Sequence, residues 1–176
     1  MKSKTSAQSL TINTEVVLPN DTNHVGNLFG GKLMQWVDIT AAIAAQRHCS
    51  RVVVTAAINH VSFDNPIKQN SVVTLEAKVS RAFTSSMEVF VDVFVEDTVT
   101  GNQTKCNEAI LTFVAIDQNG TPLPVPELIP ETELEKMRFK SALRRRQLSL
   151  VLGGRMKPED ATELKALFFK DEKSST

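Results

Sequence analysis

The alternation of hydrophobic and polar residues changes rhythm at a few sharp places along the chain. Residues 1–10 are polar and without pattern, which predicts a mobile N-terminal tail. β-Branched residues then cluster over 11–18, as in a strand. Residues 19–31 carry Pro, Asn, Asp and three glycines, whereas 32–49 contain neither Gly nor Pro and are rich in Ala, Leu and Met. The change predicts a turn-rich loop feeding a helix of about five turns. From Trp36 to Ala45 that helix is apolar on almost every side, the pattern of a helix that is buried all round. Residues 51–63 are rich in Val and Ile, and the turn formers Asp64-Asn65-Pro66 follow. Two stretches then alternate with period two: Val73, Leu75, Ala77 and Val79, and after them Met87, Val89, Val91, Val93 and Val95. Thr100-Gly101-Asn102 predicts a turn, 105–117 a further strand, and Gln118-Asn119-Gly120 its end. One buried helix with about five strands in meander order predicts an α+β fold, a curved antiparallel sheet wrapped around a long central helix.

Beyond Gly120 the pattern changes again. Residues 121–130 are too proline-rich for a central strand, 131–151 read as a charged helix, and Gly153-Gly154 breaks it. A short helix is predicted from Pro158 through Leu167. The expected organisation is a tail at 1–10, a sheet-and-helix domain at 11–130 and a C-terminal helical extension at 131–176. The run Arg144-Arg145-Arg146 reads as a solvated helix face.

Charge narrows the partners. Twenty basic side chains balance 20 acidic ones, so no global field draws in nucleic acid or an anionic membrane surface, and neither is an expected partner. The apolar stretches fall short of the roughly 20 residues of a spanning helix, and the N-terminus lacks the apolar core of a secretory signal, so a cytoplasmic location is expected. Cys49 and Cys106 have no CxxC spacing and read as structural thiols.

Asp38 is the only ionisable residue between Lys32 and Arg47. A carboxylate on a buried helix is either held by structural hydrogen bonds or kept for chemistry. The loop from Asn23 to Gly31 runs straight into the same helix, where Gly30 and Gly31 let an acyl carbonyl or phosphate oxygen approach free backbone N–H groups. Its spacing is neither a dinucleotide fingerprint nor a P-loop. Gly31 and Asp38 are two helical turns apart, about 10 Å, so one carboxylate does not easily serve the N-terminus of its own helix. A paired helix from a second subunit could bring it there.

Three motifs in order carry a family resemblance: Asn23-x2-Gly26-x3-Gly30-Gly31 with Trp36-Val37-Asp38, then Phe83-Thr84-Ser85-Ser86-Met87-Glu88-Val89, then Pro124-Val125-Pro126-Glu127-Leu128-x-Pro130-Glu131-Thr132-Glu133. Over residues 11 to 140 the chain resembles the hotdog-fold acyl-CoA thioesterases, in the branch of the cytosolic brain-type acyl-CoA hydrolases and their single-domain bacterial relatives. The resemblance implies hydrolysis of fatty acyl-CoA to free fatty acid and CoA. It also implies a catalytic Asp38 and a catalytic Asn23 supplied by different protomers, in a homo-oligomer that is a hexamer, a trimer of dimers. The Gly31 N–H, aided by Gly30, would stabilise the oxyanion. Asp38 would act as general base or attack directly, and Asn23 would orient the water or the carboxylate. CoA would be gripped by Phe83, Thr84, Ser85 and Ser86, with Arg81 as a nearby cation. The competing reading of Ser85-Ser86 is a plain hairpin turn. No metal and no cofactor are called for, since CoA is part of substrate and product. A hotdog hydratase or dehydratase using His24, and a non-catalytic acyl-CoA-binding module, are the rival readings.

Overall fold

The computed structural model describes residues 1–97 and 100–168. Alternation in the sequence becomes register in the sheet. Five strands, β2 (Thr11–Val16), β3 (Val52–Val61), β4 (Val72–Ala82), β5 (Ser86–Glu96) and β6 (Gln103–Ile116), pair antiparallel in the order β2-β4-β5-β6-β3. Leu75 on β4, Val91 on β5, and Leu111 and Phe113 on β6 are fully buried, together with the other inward positions of these strands. Each such side chain contributes about 1.5–3 kcal/mol on leaving water. Against them lies α1 (Gly30–Cys49), whose Ala41, Ala44 and Ala45 are fully buried and small enough to let the helix axis approach the sheet. This is the hotdog arrangement, with the sheet curved around one long helix. Register slips between Val79 and Arg81, Thr55 and Ala57, and Val93 and Phe94 help to bend the strands.

Several expectations need correction. The meander holds only for β4, β5 and β6. β2 and β3 lie on opposite edges, because the helix between them carries the chain across the sheet. The helix starts at Gly30, two residues earlier than expected, and it is not buried all round: Ile39 is 50% and Ile43 39% exposed, and Asp38, between the buried Val37 and the exposed Ile39, is half-buried. One sheet covers one side of a helix, so the far side of α1 stays open in a single chain. The N-terminal residues, finally, are packed instead of trailing. β1 (Lys4–Thr5) pairs in parallel with β7 (Leu128–Ile129), and a 3-10 turn at Ser6–Ser9 follows. The buried Ser6 donates its hydroxyl to the Val79 carbonyl at 2.7 Å, and the Val79 N–H donates to Ser9 Oγ at 2.9 Å. β2 pairs with β4 only as far as Ala77, so the two serines satisfy backbone groups that a longer β2 would have taken.

From Thr132 on, the chain forms a second unit. Its helix α2 (Glu133–Leu152) opens on a capping box in which Thr132 Oγ1 accepts from the Glu135 N–H and Glu135 accepts from the Thr132 N–H, both at 3.2 Å. The expected helix over 158–167 is split by Ala161 into a 3-10 turn (Pro158–Asp160) and a short α3 (Thr162–Lys165), which is tied to α2 where the Leu164 N–H donates to Gln147 Oε1 at 2.9 Å. The three arginines at 144–146 are half-buried, not solvated. The last residues of the expected extension, 169–176, lie outside the described residues.

Candidate active site

The loop before α1 is built around Asn23. Its Oδ1 accepts from the N–H of Val25 at 3.1 Å and of Asn27 at 3.2 Å, while its own N–H donates to the Asn27 carbonyl at 2.7 Å. Gly26 closes this turn at φ +76°, a conformation that suits glycine. The side-chain oxygen is thus committed to the loop, and the Nδ2 donors have no partner among the described residues. At the end of the loop the Phe29 N–H donates to the Asp21 carbonyl at 2.8 Å, and Phe29 offers the helix no side-chain cap. The N–H groups of Gly30 and Gly31 therefore point out of the first turn unpaired, at the positive end of the helix dipole.

A cleft of about 360 Å³ opens here. It brings together Asn23, Gly30 and Asn27 with Leu33, Phe63 and Asn107, and no charged side chain lines it. Gly31 and Asp38 are not in its lining. Asp38 sits farther along α1, where the Thr55 hydroxyl of β3 donates to its Oδ1 at 2.7 Å. Its Oδ2 has no partner among the described residues. The expectation of a buried acid is thus corrected: within one chain the carboxylate is half-exposed, anchored by one hydroxyl and open on the uncovered side of α1.

The hairpin at 83–86 is elsewhere. It joins β4 to β5 with the Phe83 N–H donating to the Ser86 carbonyl at 2.8 Å, and Ser86 pairs with Val114 of β6. Asn107 in the cleft pairs with Val93, seven residues along β5 from Ser86, or about 23 Å of strand. One chain therefore does not bring the hairpin to the cleft. The carbonyls of Thr84 and Ser85 accept from Val125 and Ala115, both at 3.0 Å, and Ser86 is buried. Arg81 stacks on the Phe83 ring at 5.6 Å. His24, needed by a hydratase, is exposed and does not line the cleft.

Sequence reasoning missed Thr55 and Asn107. Thr55 is an ordinary strand residue whose contact spans 17 positions, so nothing local marks it. Asn107 did carry a signal: it is the polar member of an inward series continued by Ala109, Leu111, Phe113 and Ala115. Burial raises the pKa of both free thiols, Cys49 and Cys106, and keeps them protonated. Among the described residues no His, Cys, Asp or Glu cluster could hold a metal ion, and no helix is long and apolar enough to cross a membrane.

Known proteins share this fold and sequence. Residues 25–102 match the profile of the Thioesterase superfamily. A Bacillus subtilis (strain 168) protein called an uncharacterized acyl-CoA thioester hydrolase, YkhA, is 48% identical over 138 residues, which cover 78% of this chain and 80% of that protein. The chain also matches the rat cytosolic acyl coenzyme A thioester hydrolase, 37% identical over 127 residues, but spans only 33% of its length. Among solved structures, a Staphylococcus aureus acyl-CoA hydrolase in complex with butyryl coenzyme A, coenzyme A and coenzyme A disulfide superposes with a TM-score of 0.82 at 35% identity, covering 95% of this chain and 99% of that one. An apo-hexameric acyl-CoA thioesterase superposes with a TM-score of 0.80 at 37% identity, with the same coverage. Sheet order, profile match and a relative of similar length agree, and the chain belongs to the thioesterase superfamily, among the hotdog-fold acyl-CoA thioester hydrolases.

Proposed function

We propose that this protein hydrolyses acyl-CoA thioesters to free acid and CoA at sites that two copies of the chain build together. The observation that carries the shared site is a separation. Asn23 and the unpaired Gly30 and Gly31 amides sit at one end of α1, while Asp38 lies about 12 Å along the helix from Gly30 on its open side. β3, an edge strand of ten residues, exposes Val52 (64%) and Ile58 (54%) beside that side of the helix. Long apolar edges are covered in stable proteins. A second copy covers this one, β3 against β3, and sets each Asp38 before the partner's glycine amides. A dimer is the minimum. The hexameric assembly of the solved thioesterase supports a trimer of dimers here, and the cytosolic relative supports a cytoplasmic location.

In that assembly the thioester carbonyl oxygen accepts from the Gly31 N–H, aided by Gly30. A donor of this kind is worth on the order of 3 kcal/mol as the oxyanion develops. Asp38, steadied through Oδ1 by Thr55, takes a proton from water at Oδ2, and the hydroxide attacks the carbonyl carbon. Asn23 Nδ2 donates to the water or the carboxylate and holds it in line. The carbon–sulfur bond then breaks, and CoA leaves as a thiolate, which needs no strong general acid. The neutral cleft offers no cation for the CoA phosphates. They fall to the Arg81 and Phe83–Ser86 region, Thr84 and Ser85 included, contributed at the assembled site.

Free-thiol release from saturated acyl-CoAs of several chain lengths tests the reading. The folded protein is expected to release CoA from at least one of them. Binding without turnover across the whole series would replace the enzyme with a binding module.

A further inference from the structure

Asn107 stands where the strand pattern calls for an apolar side chain. It shares the inward register of β6 with Ala109 and Leu111 and faces the buried Val93 across the ladder, next to the register slip between Val93 and Phe94. The residue is only 3% exposed. Its Oδ1 accepts a long hydrogen bond, 3.5 Å, from the Asn65 N–H, and its Nδ2 has no partner among the described residues. Nδ2 is nonetheless not sealed off without a partner, as His48 Nδ1 and Arg144 Nε are, so the donor opens to the adjoining space and is free to meet an acceptor there. That space is the cleft at the start of α1, which Asn107 lines together with Gly30, Asn23 and Asn27.

We propose that Asn107 binds the pantetheine arm of the substrate, its Nδ2 donating to the amide carbonyl nearest the thioester sulfur; the assignment rests on the thioesterase reading. Three features of the cleft select that part of the molecule. It adjoins the Gly30 amide, so whatever fills it lies beside the thioester. It carries no charged side chain to pair with the CoA phosphates, which favours a neutral part of the substrate. Its lining mixes side-chain amides with Leu33 and Phe63, and an alkyl tail gives the amides nothing to bond. Pantetheine is a chain of methylenes and amides, and its first amide sits one ethylene link from the sulfur. Asn107 is thus a specificity residue: it favours substrates that carry an amide at that position.

The test uses the full chain and three thioesters of one acyl group: the CoA ester, the N-acetylcysteamine ester, which keeps the first amide, and the 2-mercaptoethanol ester, which has none. Asn107→Asp keeps the shape and the bond from Asn65 but replaces the donor with an acceptor, and Asn107→Leu removes both. Both variants are expected to raise KM for the two amide-bearing esters about tenfold, the effect of one lost hydrogen bond, with kcat within about twofold and the amide-free ester unaffected. Equal losses on all three esters would mean a purely structural role, and no loss on any would mean no contact; either overturns the assignment while leaving the thioesterase reading intact. A wild type inactive on every ester sinks that reading instead. Should neither variant fold, the wild type decides: its kcat/KM for the N-acetylcysteamine ester must exceed that for the amide-free ester by about tenfold, and equality ends the proposal.

Discussion

Among the described residues the Asp38 side chain is tied to its chain by a single hydroxyl, that of Thr55, so it can be removed without dismantling anything buried. Asp38→Ala is expected to keep the wild-type thermal transition and to lose at least about a hundredfold in kcat, the usual loss when an acid-base group goes. Thiol release beside a melting curve checks both halves. Its legibility came from isolation, because a lone ionisable residue on an apolar helix shows in any window of sequence. Thr55 and Asn107 act through contacts between distant strands, and only register reveals them. His48 is fully buried, with Nε2 at 2.9 Å from the Pro126 carbonyl and Nδ1 unpartnered among the described residues. Burial pushes its pKa down; the Pro126 bond opposes this, and the nearby Lys4 adds to the depression. The unfolded chain then binds a proton below its ordinary pKa of 6.5 that the folded chain does not, so this contribution to stability is complete above pH 6.5 and is lost as pH falls toward the lowered folded value. Urea midpoints at about pH 7.5 and about pH 5.5 should fall further for wild type than for His48→Gln, which does not titrate. Equal falls would remove His48 from the acid response.

At the scale of elements, the glycines opening α1 differ in what surrounds them. A Cβ on Gly31 would come within 2.6 Å of Phe29 Cε1, whereas one on Gly30 would meet Phe63 at 3.4 Å, an ordinary contact. The Phe29 ring is a side chain on the surface and can swing, so Gly31→Ala should cost little stability but disturb the turn that aims the oxyanion donors. A fall in kcat on the order of tenfold is expected, less than the loss of a whole donor, with Gly30→Ala nearer wild type. Steady-state kinetics on the two variants separates the positions, and equal kinetics would detach Phe29 from the site. The strands themselves were readable because period-two alternation is a local property. Their order was not, since nothing in the alternation of β3 says that it pairs with β6 instead of a neighbour in sequence. The docking of Ser6 and Ser9 was equally hidden, because hydroxyls that complete another strand's hydrogen bonding leave no periodic trace.

The whole molecule is where the site is either shared or not, and subunit mixing separates the two cases without requiring a structure of the assembly. A chain carrying Asp38→Ala keeps its Asn23, and a chain carrying Asn23→Ala keeps its Asp38; each alone is expected to be nearly inactive. Mixed under conditions that allow exchange, the two form dimers in which one site receives both intact residues and the other neither. Random exchange into two-fold dimers then restores up to about a quarter of wild-type activity, since half of the dimers are mixed and each holds one intact site. If a single chain completed its own site, every site in the mixture would still lack one residue, and no activity would return at any ratio. The open side of α1 adds a control. Ile58→Glu puts a charge on the exposed apolar edge of β3, and in the same mixture it should abolish both assembly and the recovered activity together. Recovery that survives in a monomeric variant would show that the distance between Asp38 and the glycine amides is closed within one chain, and the shared site would have to be abandoned.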